Sequence, residues 1–507
     1  MAEKITEMED EDLKESINEI AQGASVSFVF GLAGYLLIFI FKLLAARYLG
    51  PEKYGVFELG NTLFLVFVLI SSLGILTGIA RFIPYYLKKK EFSLLHGYVS
   101  FVFKFPLIAS IIVGSIAFLS SDFIASFFNR SSDFALFIKI ISLAIPLKVL
   151  SNTARQIITS RKKIFYKSFS EAIIEKFILF CGLGLISFFN LSLLYIFITL
   201  LFSTLISLIF ELFIYKKIKL PLAQNETTLH KEWILFSLPL FLSGFFNYFI
   251  KWSDNIVIGK MLAVSFLGIY AIAYSIGDVL GFFQNIFMSI LNPIFSEKYA
   301  LDKNDELNFL FKKVSTWAFG LAFPLFIFIL IFGKDFLTLF YGNSYSSGYL
   351  PLIIISSGLM FFLATGPNES ILILHKKTGF IFKVNTFVAI LNIFLNIVLI
   401  KYLGIAGAAL ASAFSMALRS LITFVEAKKI SAISVNNSAY FKFIVSAFIT
   451  YALVLLTKSF IFKNGLAMLL LFGFGTTIIY FLASYLTKAI TKEDIWTILS
   501  LVKKKQL

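Results

Sequence analysis

Apolar residues run in long stretches along almost the whole 507-residue chain, broken by short polar segments. Each stretch is long enough to cross a bilayer as a helix, which takes about 20 residues. None alternates strictly between apolar and polar positions, so the stretches do not read as strands of a barrel. In hydrocarbon the backbone must satisfy its own hydrogen bonds, and an α-helix does so within one segment. The pattern predicts an all-α polytopic membrane protein with about 14 transmembrane helices, roughly at 24–47, 56–82, 95–120, 134–158, 166–188, 191–215, 233–258, 265–292, 313–339, 347–373, 379–400, 404–427, 440–462 and 465–487.

The polar punctuation repeats. Arg47-Tyr48-Leu49-Gly50-Pro51-Glu52-Lys53-Tyr54-Gly55 and Lys260-Met261-Leu262-Ala263-Val264-Ser265-Phe266-Leu267-Gly268 each place a cation, Leu two residues on and Gly eight on, 213 residues apart. Ser160-Arg161-Lys162-Lys163 and Leu374-His375-Lys376-Lys377 fall at nearly the same offset, as do Lys216-Lys217-Ile218 and Lys428-Lys429-Ile430. A repeat of six spans gives both halves the same orientation, related by an axis along the membrane normal, with a cavity between them. The predicted organisation is a cytoplasmic amphipathic segment 1–23, an N-lobe 24–219 with spans 1–6, a linker 220–232, a C-lobe 233–430 with spans 7–12, extra spans 13–14 at 431–490 and a basic tail 491–507.

Composition and charge narrow the class. With 59% hydrophobic residues, an ordinary soluble protein is excluded. The net charge of +16 does not point to nucleic acid, because the cations lie in short loops between spans. Alternate loops are the basic ones, around Lys88-Lys89-Lys90, Arg161-Lys162-Lys163, Lys216-Lys217 and Lys376-Lys377. With an even span count, both termini are then cytoplasmic. The N-terminus is acidic (Glu7, Glu9, Asp10, Glu11, Asp12) and does not read as a secretory signal. Ile5, Leu13, Ile17 and Ile20 suggest a helix on the membrane surface. Segment 294–312 reads as an interfacial helix or a solvated connector. Cys181 stands alone, and His96, His230 and His375 are far apart, so no metal site is expected.

Ionisable groups inside a bilayer are costly and mark a site or pathway, unless they snorkel from a helix end. Lys42 and Glu58 lie near outer helix ends and read as snorkelling groups or an interfacial pair. Lys148 sits near the middle of span 4, just after Ile145-Pro146, where proline can bend a helix around a cavity. Arg155 follows seven residues on, on the same face, giving a cationic wall. Arg419 in span 12 and Lys251 in span 7 would extend it; Lys104, in span 3, either joins it or snorkels. The acids are the complement. Asp278 lies near the middle of span 8, and Asp254 lies three residues after Lys251, on its face, where the two can also form a structural pair. Glu171 and Glu175 are one turn apart in span 5, and Glu369 follows the Gly366-Pro367 break in span 10. These carboxylates either bind Na⁺ or a proton and couple it to rocking, or neutralise the cations; the sequence leaves both open. A cavity rich in Lys and Arg recognises an anion, and phosphate or pyrophosphate fits. No nucleophile constellation or nucleotide-binding loop is found, so no catalytic residue and no cofactor beyond a coupling ion is expected.

The segment Leu44-Ala45-Ala46-Arg47-Tyr48-Leu49-Gly50-Pro51-Glu52-Lys53-Tyr54-Gly55 resembles the first-loop signature of the polysaccharide-transport family. These are the oligosaccharide-lipid flippases of the multidrug/oligosaccharidyl-lipid/polysaccharide exporter superfamily. Arg47, Gly50, Pro51, Tyr54 and Gly55 carry that motif. Leu238-Pro239-Leu240, Asp254-Asn255-Ile256-Val257-Ile258-Gly259-Lys260 and Gly268-Ile269-Tyr270 look like its mid-chain signature, and Gly404-Ile405-Ala406-Gly407-Ala408-Ala409-Leu410-Ala411 resembles its start of span 12. The resemblance implies two lobes, alternating access and a cationic central cavity. It further implies a polyprenyl-(di)phosphate-linked oligosaccharide as substrate, glycan-assembly enzymes as partners and a monomer in the cytoplasmic membrane. The Lys148, Arg155, Lys251 and Arg419 assignment comes from the residues and is not transferred from the family.

Two rivals remain at this stage. A cation-coupled multidrug antiporter of the same superfamily favours cationic substrates and lacks the extra helix pair. A membrane-embedded polymerase or glycosyltransferase needs a larger external segment than this chain offers.

Overall fold

In the computed structural model the backbone is described for residues 2–221, 231–301, 303–431, 433–435, 437–461 and 465–491, with side chains from residue 29 onward apart from a few helix positions. Most of the linker 220–232, nearly all of the tail 491–507 and the side chains of segment 1–23 lie outside this description. Among the described residues no strand is present. The helices are α1 (Ala2–Ser72), α2 (Ile75–Lys89), α3 (Phe92–Leu119), α4 (Ser121–Phe127), α5 (Ser132–Ser160), α6 (Ile164–Phe169), α7 (Glu175–Phe188), α8 (Leu194–Ile218), α9 (Lys231–Met261), α10 (Val264–Ala300), α11 (Asn304–Tyr341), α12 (Tyr349–Thr365), α13 (Asn368–Leu374), α14 (Thr378–Leu403), α15 (Ile405–Ser431), α16 (Asn437–Ile461) and α17 (Leu466–Leu486). A π-helical turn, Ser170–Ile174, joins α6 to α7.

Among the described residues, twelve helices are long and apolar enough to cross a membrane. The chain is a multi-pass membrane protein. The first of the twelve, Val29–Ser72, has 44 residues; at about 1.5 Å per residue it is twice the length a bilayer core requires. Its interruption is Gly50, at φ +72°, followed by Pro51. Glycine takes the positive φ without a Cβ clash, and proline suits the first position of a new helix. Where spans 1 and 2 were expected to be separated by a loop, the chain therefore only breaks and continues. The stretch expected as span 2, 56–82, is itself cut between α1 and α2 by Leu73 and Gly74, both at positive φ. A Cβ at Gly74 would lie 2.5 Å from the Ser237 carbonyl oxygen, so the close approach of α9 selects glycine there. Span 10 breaks where expected, at Gly366 with φ +76° before Pro367. Segment 294–312 is not a separate interfacial helix. It continues α10 and begins α11, and the turn is braced by Lys298–Glu306 (2.7 Å) and Lys303–Glu306 (2.9 Å).

The chain divides into two compact units, residues 1–271 with 385–397, and residues 272–384 with 398–507. These limits differ from those of the sequence repeat, since α10 begins in one unit and ends in the other. In the first unit α5 lies along α3 and α8, and the C-terminal half of α2 and the N-terminal ends of α3 and α9 share an aromatic core of Phe82, Tyr86, Tyr98, Phe101 and Trp233. The two motif glycines meet within this unit: a Cβ on Gly55 would overlap the Val264 carbonyl, and one on Gly268 would overlap that of Pro51. The contact is reciprocal at the repeat offset. In the second unit α11 packs on α12, α16 and α17, and Lys458 of α16 binds Asp335 of α11 at 2.6 Å.

Candidate functional site

Lys148, Ser151 and Arg155 occur at spacings of three and four on α5, so one face of the helix carries all three. That face is buried, with Lys148 9% and Arg155 6% exposed. It is not a bare cationic wall. Lys148 Nζ donates to Glu175 Oε1 at 2.7 Å. Arg155 donates through Nε (2.9 Å) and Nη2 (2.8 Å) to Glu211 Oε1, and through Nη2 to Glu175 Oε2 at 3.3 Å. Ser151 and Ser170 also donate to Glu211, at 2.5 and 2.7 Å. Glu171 binds Lys167 at 2.7 Å and lies 4.0 Å from Arg155. Glu171 and Glu175 both stand against cations. Glu211 was missed. It is a lone acid toward the C-terminal end of the apolar run 191–215, and that was the available signal.

A second cluster in the same unit surrounds Asp254, which is 1% exposed. Tyr270 of α10 donates its hydroxyl to the Asp254 carboxylate, and Asn396 Nδ2 of α14 donates to it at 2.7 Å. Asn396 Nδ2 also reaches Asn392 Oδ1 at 3.1 Å, and Ser253 donates to the same oxygen at 2.6 Å. Asn396 Oδ1 is buried with no hydrogen-bond partner. The two asparagines, one turn apart inside the apolar run 379–400, were also missed. The set of carboxylate, amide and hydroxyl oxygens is one that a hard cation would accept.

The other predicted residues are dispersed. Lys251 is exposed on α9, its ammonium 5.9 Å from the Trp252 ring centre, and Lys104 is exposed on α3. In the second unit Asp278 is half-buried on α10, and Arg419 of α15 pairs with Glu369 of α13. Of the first-loop motif, Tyr54 donates to buried Glu58 at 2.7 Å, and Lys42 lies 3.6 Å from the same carboxylate, so Lys42 and Glu58 pair. Arg47 is exposed.

A family model described as polysaccharide biosynthesis protein matches residues 43–349. The chain belongs to this polysaccharide biosynthesis protein family. The matched stretch is more than half of the sequence and contains Lys148, Arg155, Glu175, Glu211, Asp254 and Tyr270. Among curated relatives, the family member is 24% identical over 182 residues to the "Probable low-salt glycan biosynthesis flippase Agl15" of Haloferax volcanii, an alignment covering 36% of this chain and only 38% of that protein. Among solved structures it is similar to "Lipid II flippase MurJ, inward closed conformation", with TM-score 0.72 and 16% identity over 90% of this chain and 98% of that one. It is also similar to an inward-facing multidrug resistance MATE family transporter of the MOP superfamily, with TM-score 0.61 and 14% identity over 81% and 98%. At these identities the likeness is one of fold.

Proposed function

We propose that this polysaccharide biosynthesis protein is a non-enzymatic flippase. It carries a polyprenyl-(di)phosphate-linked oligosaccharide across the cytoplasmic membrane by alternating access, for cell-surface glycan assembly. The observation that carries the reading is that the family match encloses two cations buried on one face of a membrane helix, Lys148 and Arg155. Buried ionisable groups at membrane depth are functional by default, and Lys with Arg suits a phosphate-bearing head group. We further propose that transport is coupled to Na⁺ or H⁺ at Asp254, where a carboxylate and the unpartnered Asn396 oxygen lie together. The basic alternate loops support cytoplasmic termini. A monomer working beside glycan-assembly enzymes completes the reading.

One observation favours a second reading, a cation-coupled multidrug antiporter: Lys148 and Arg155 already have carboxylate counter-ions. Proteoliposomes carrying a fluorescent polyprenyl-diphosphate oligosaccharide separate the two. The flippase reading expects the lipid to lose its protection from an external reagent under an imposed Na⁺ or H⁺ gradient. A stationary lipid with gradient-driven export of a small organic cation would establish the antiporter instead.

A further inference from the structure

The carboxylates around Lys148 and Arg155 are not held equally. Glu211 is fully buried and accepts from Arg155, Ser151 and Ser170. Glu175 is held by Lys148 at 2.7 Å but by Arg155 at only 3.3 Å. Glu171 is 4.0 Å from Arg155, and its side chain is 45% exposed. The hold of Arg155 on its carboxylates therefore weakens from Glu211 through Glu175 to Glu171, toward an accessible edge. That edge carries two more cations, Lys167 against Glu171 and Lys176 at 3.6 Å from Glu175.

The backbone at the same edge is irregular. The π-helical turn Ser170–Ile174 begins at Ser170, which anchors Glu211, and ends immediately before Glu175. Such turns are rare and concentrate at functional sites. Closing it to α-helical geometry shifts the register of α7 by one residue, about 100° of helix rotation. Such a shift would carry Glu175 away from Lys148 and leave Glu211, on α8, in place.

We propose that Glu175 and Glu171 are exchangeable counter-ions, holding the places that the oxyanions of a diphosphate take on Lys148 and Arg155 when a diphosphate-bearing lipid binds. Glu211 is the permanent counter-ion that keeps Arg155 oriented. A guanidinium and an ammonium side by side offer forked and point-charge donors to a diphosphate. Two glutamates one turn apart present comparable charge to the same donors. The inference rests on the flippase reading and adds which carboxylates yield.

The test measures binding of farnesyl diphosphate, with farnesol as the neutral control, to the full chain in nanodiscs. Glu175→Gln should bind farnesyl diphosphate about tenfold tighter than wild type and farnesol equally. Lys148→Met with Glu175→Met replaces the buried pair by apolar side chains, a change that folds tolerate, and should lose the diphosphate preference. Inorganic pyrophosphate should compete more weakly than the lipid; competition at equal affinity would make free pyrophosphate the ligand and overturn the proposal. If wild type moves the oligosaccharide lipid while Glu175→Gln binds no tighter and the double variant still prefers the diphosphate, the exchange is refuted and the flippase reading stands. If wild type neither binds farnesyl diphosphate nor moves the lipid, the flippase reading fails and the exchange falls with it.

Discussion

The two buried clusters of the first unit handle intramembrane charge by opposite means. Around Arg155, cations and carboxylates are gathered from α5, α7 and α8 until they offset one another. Around Asp254, a carboxylate is held by a phenol and an amide, with a second asparagine and a serine behind them. In the first arrangement every cation meets a carboxylate, and removing Glu211 strands Arg155 in low dielectric. The second holds its charge with fixed dipoles. The contrast teaches that burial of a charge in this protein does not by itself say how the charge is held; the neighbours do.

Glu211→Ala should give the largest effect. It leaves Arg155 short of its main partner and should cost about 3–5 kcal/mol of stability, while Arg155→Met with Glu211→Met should recover most of the loss. Thermal unfolding in detergent reads both, and a mild single variant would break the comparison. Asp254→Asn should cost less, about 1–3 kcal/mol for disturbed buried hydrogen bonds. Its signature is elsewhere: Na⁺ at ten times its Kd should stabilise wild type by about 1.4 kcal/mol and the variant not at all. A wild type indifferent to Na⁺ between pH 6 and 8 would leave the proton as the coupling ion at Asp254. Glu369→Gln, in the half-exposed pair with Arg419, should change stability by about 1 kcal/mol or less. A loss as large as that of Glu211→Ala would place this pair with the buried cluster instead.

Much of the fold was legible because its causes are local. Long apolar runs give helices wherever water is absent, and Gly366-Pro367 marks a break because neither residue continues a helix well. Gly50-Pro51 was noticed as a motif, but it breaks a continuous helix instead of making a loop. The partners of the charged residues were legible only by half. Lys148 and Arg155 were found from their spacing on one helix, and Glu171 and Glu175 from theirs. Glu211 and Asn396 went unnoticed because each acts across helices.

From the residues by themselves it followed that this is an all-helical membrane protein, that two junction motifs recur at a fixed offset, and that charges within the apolar runs had to be reckoned with. Those conclusions follow from residue type and period. Only the tertiary structure decided that Arg155 meets Glu211, 56 residues away, that Asp254 meets Asn396, 142 residues away, and that the two repeat glycines touch. The physical reason is that such pairings depend on which helices become neighbours and how each is rotated about its axis, and neither is encoded in one helix's own pattern.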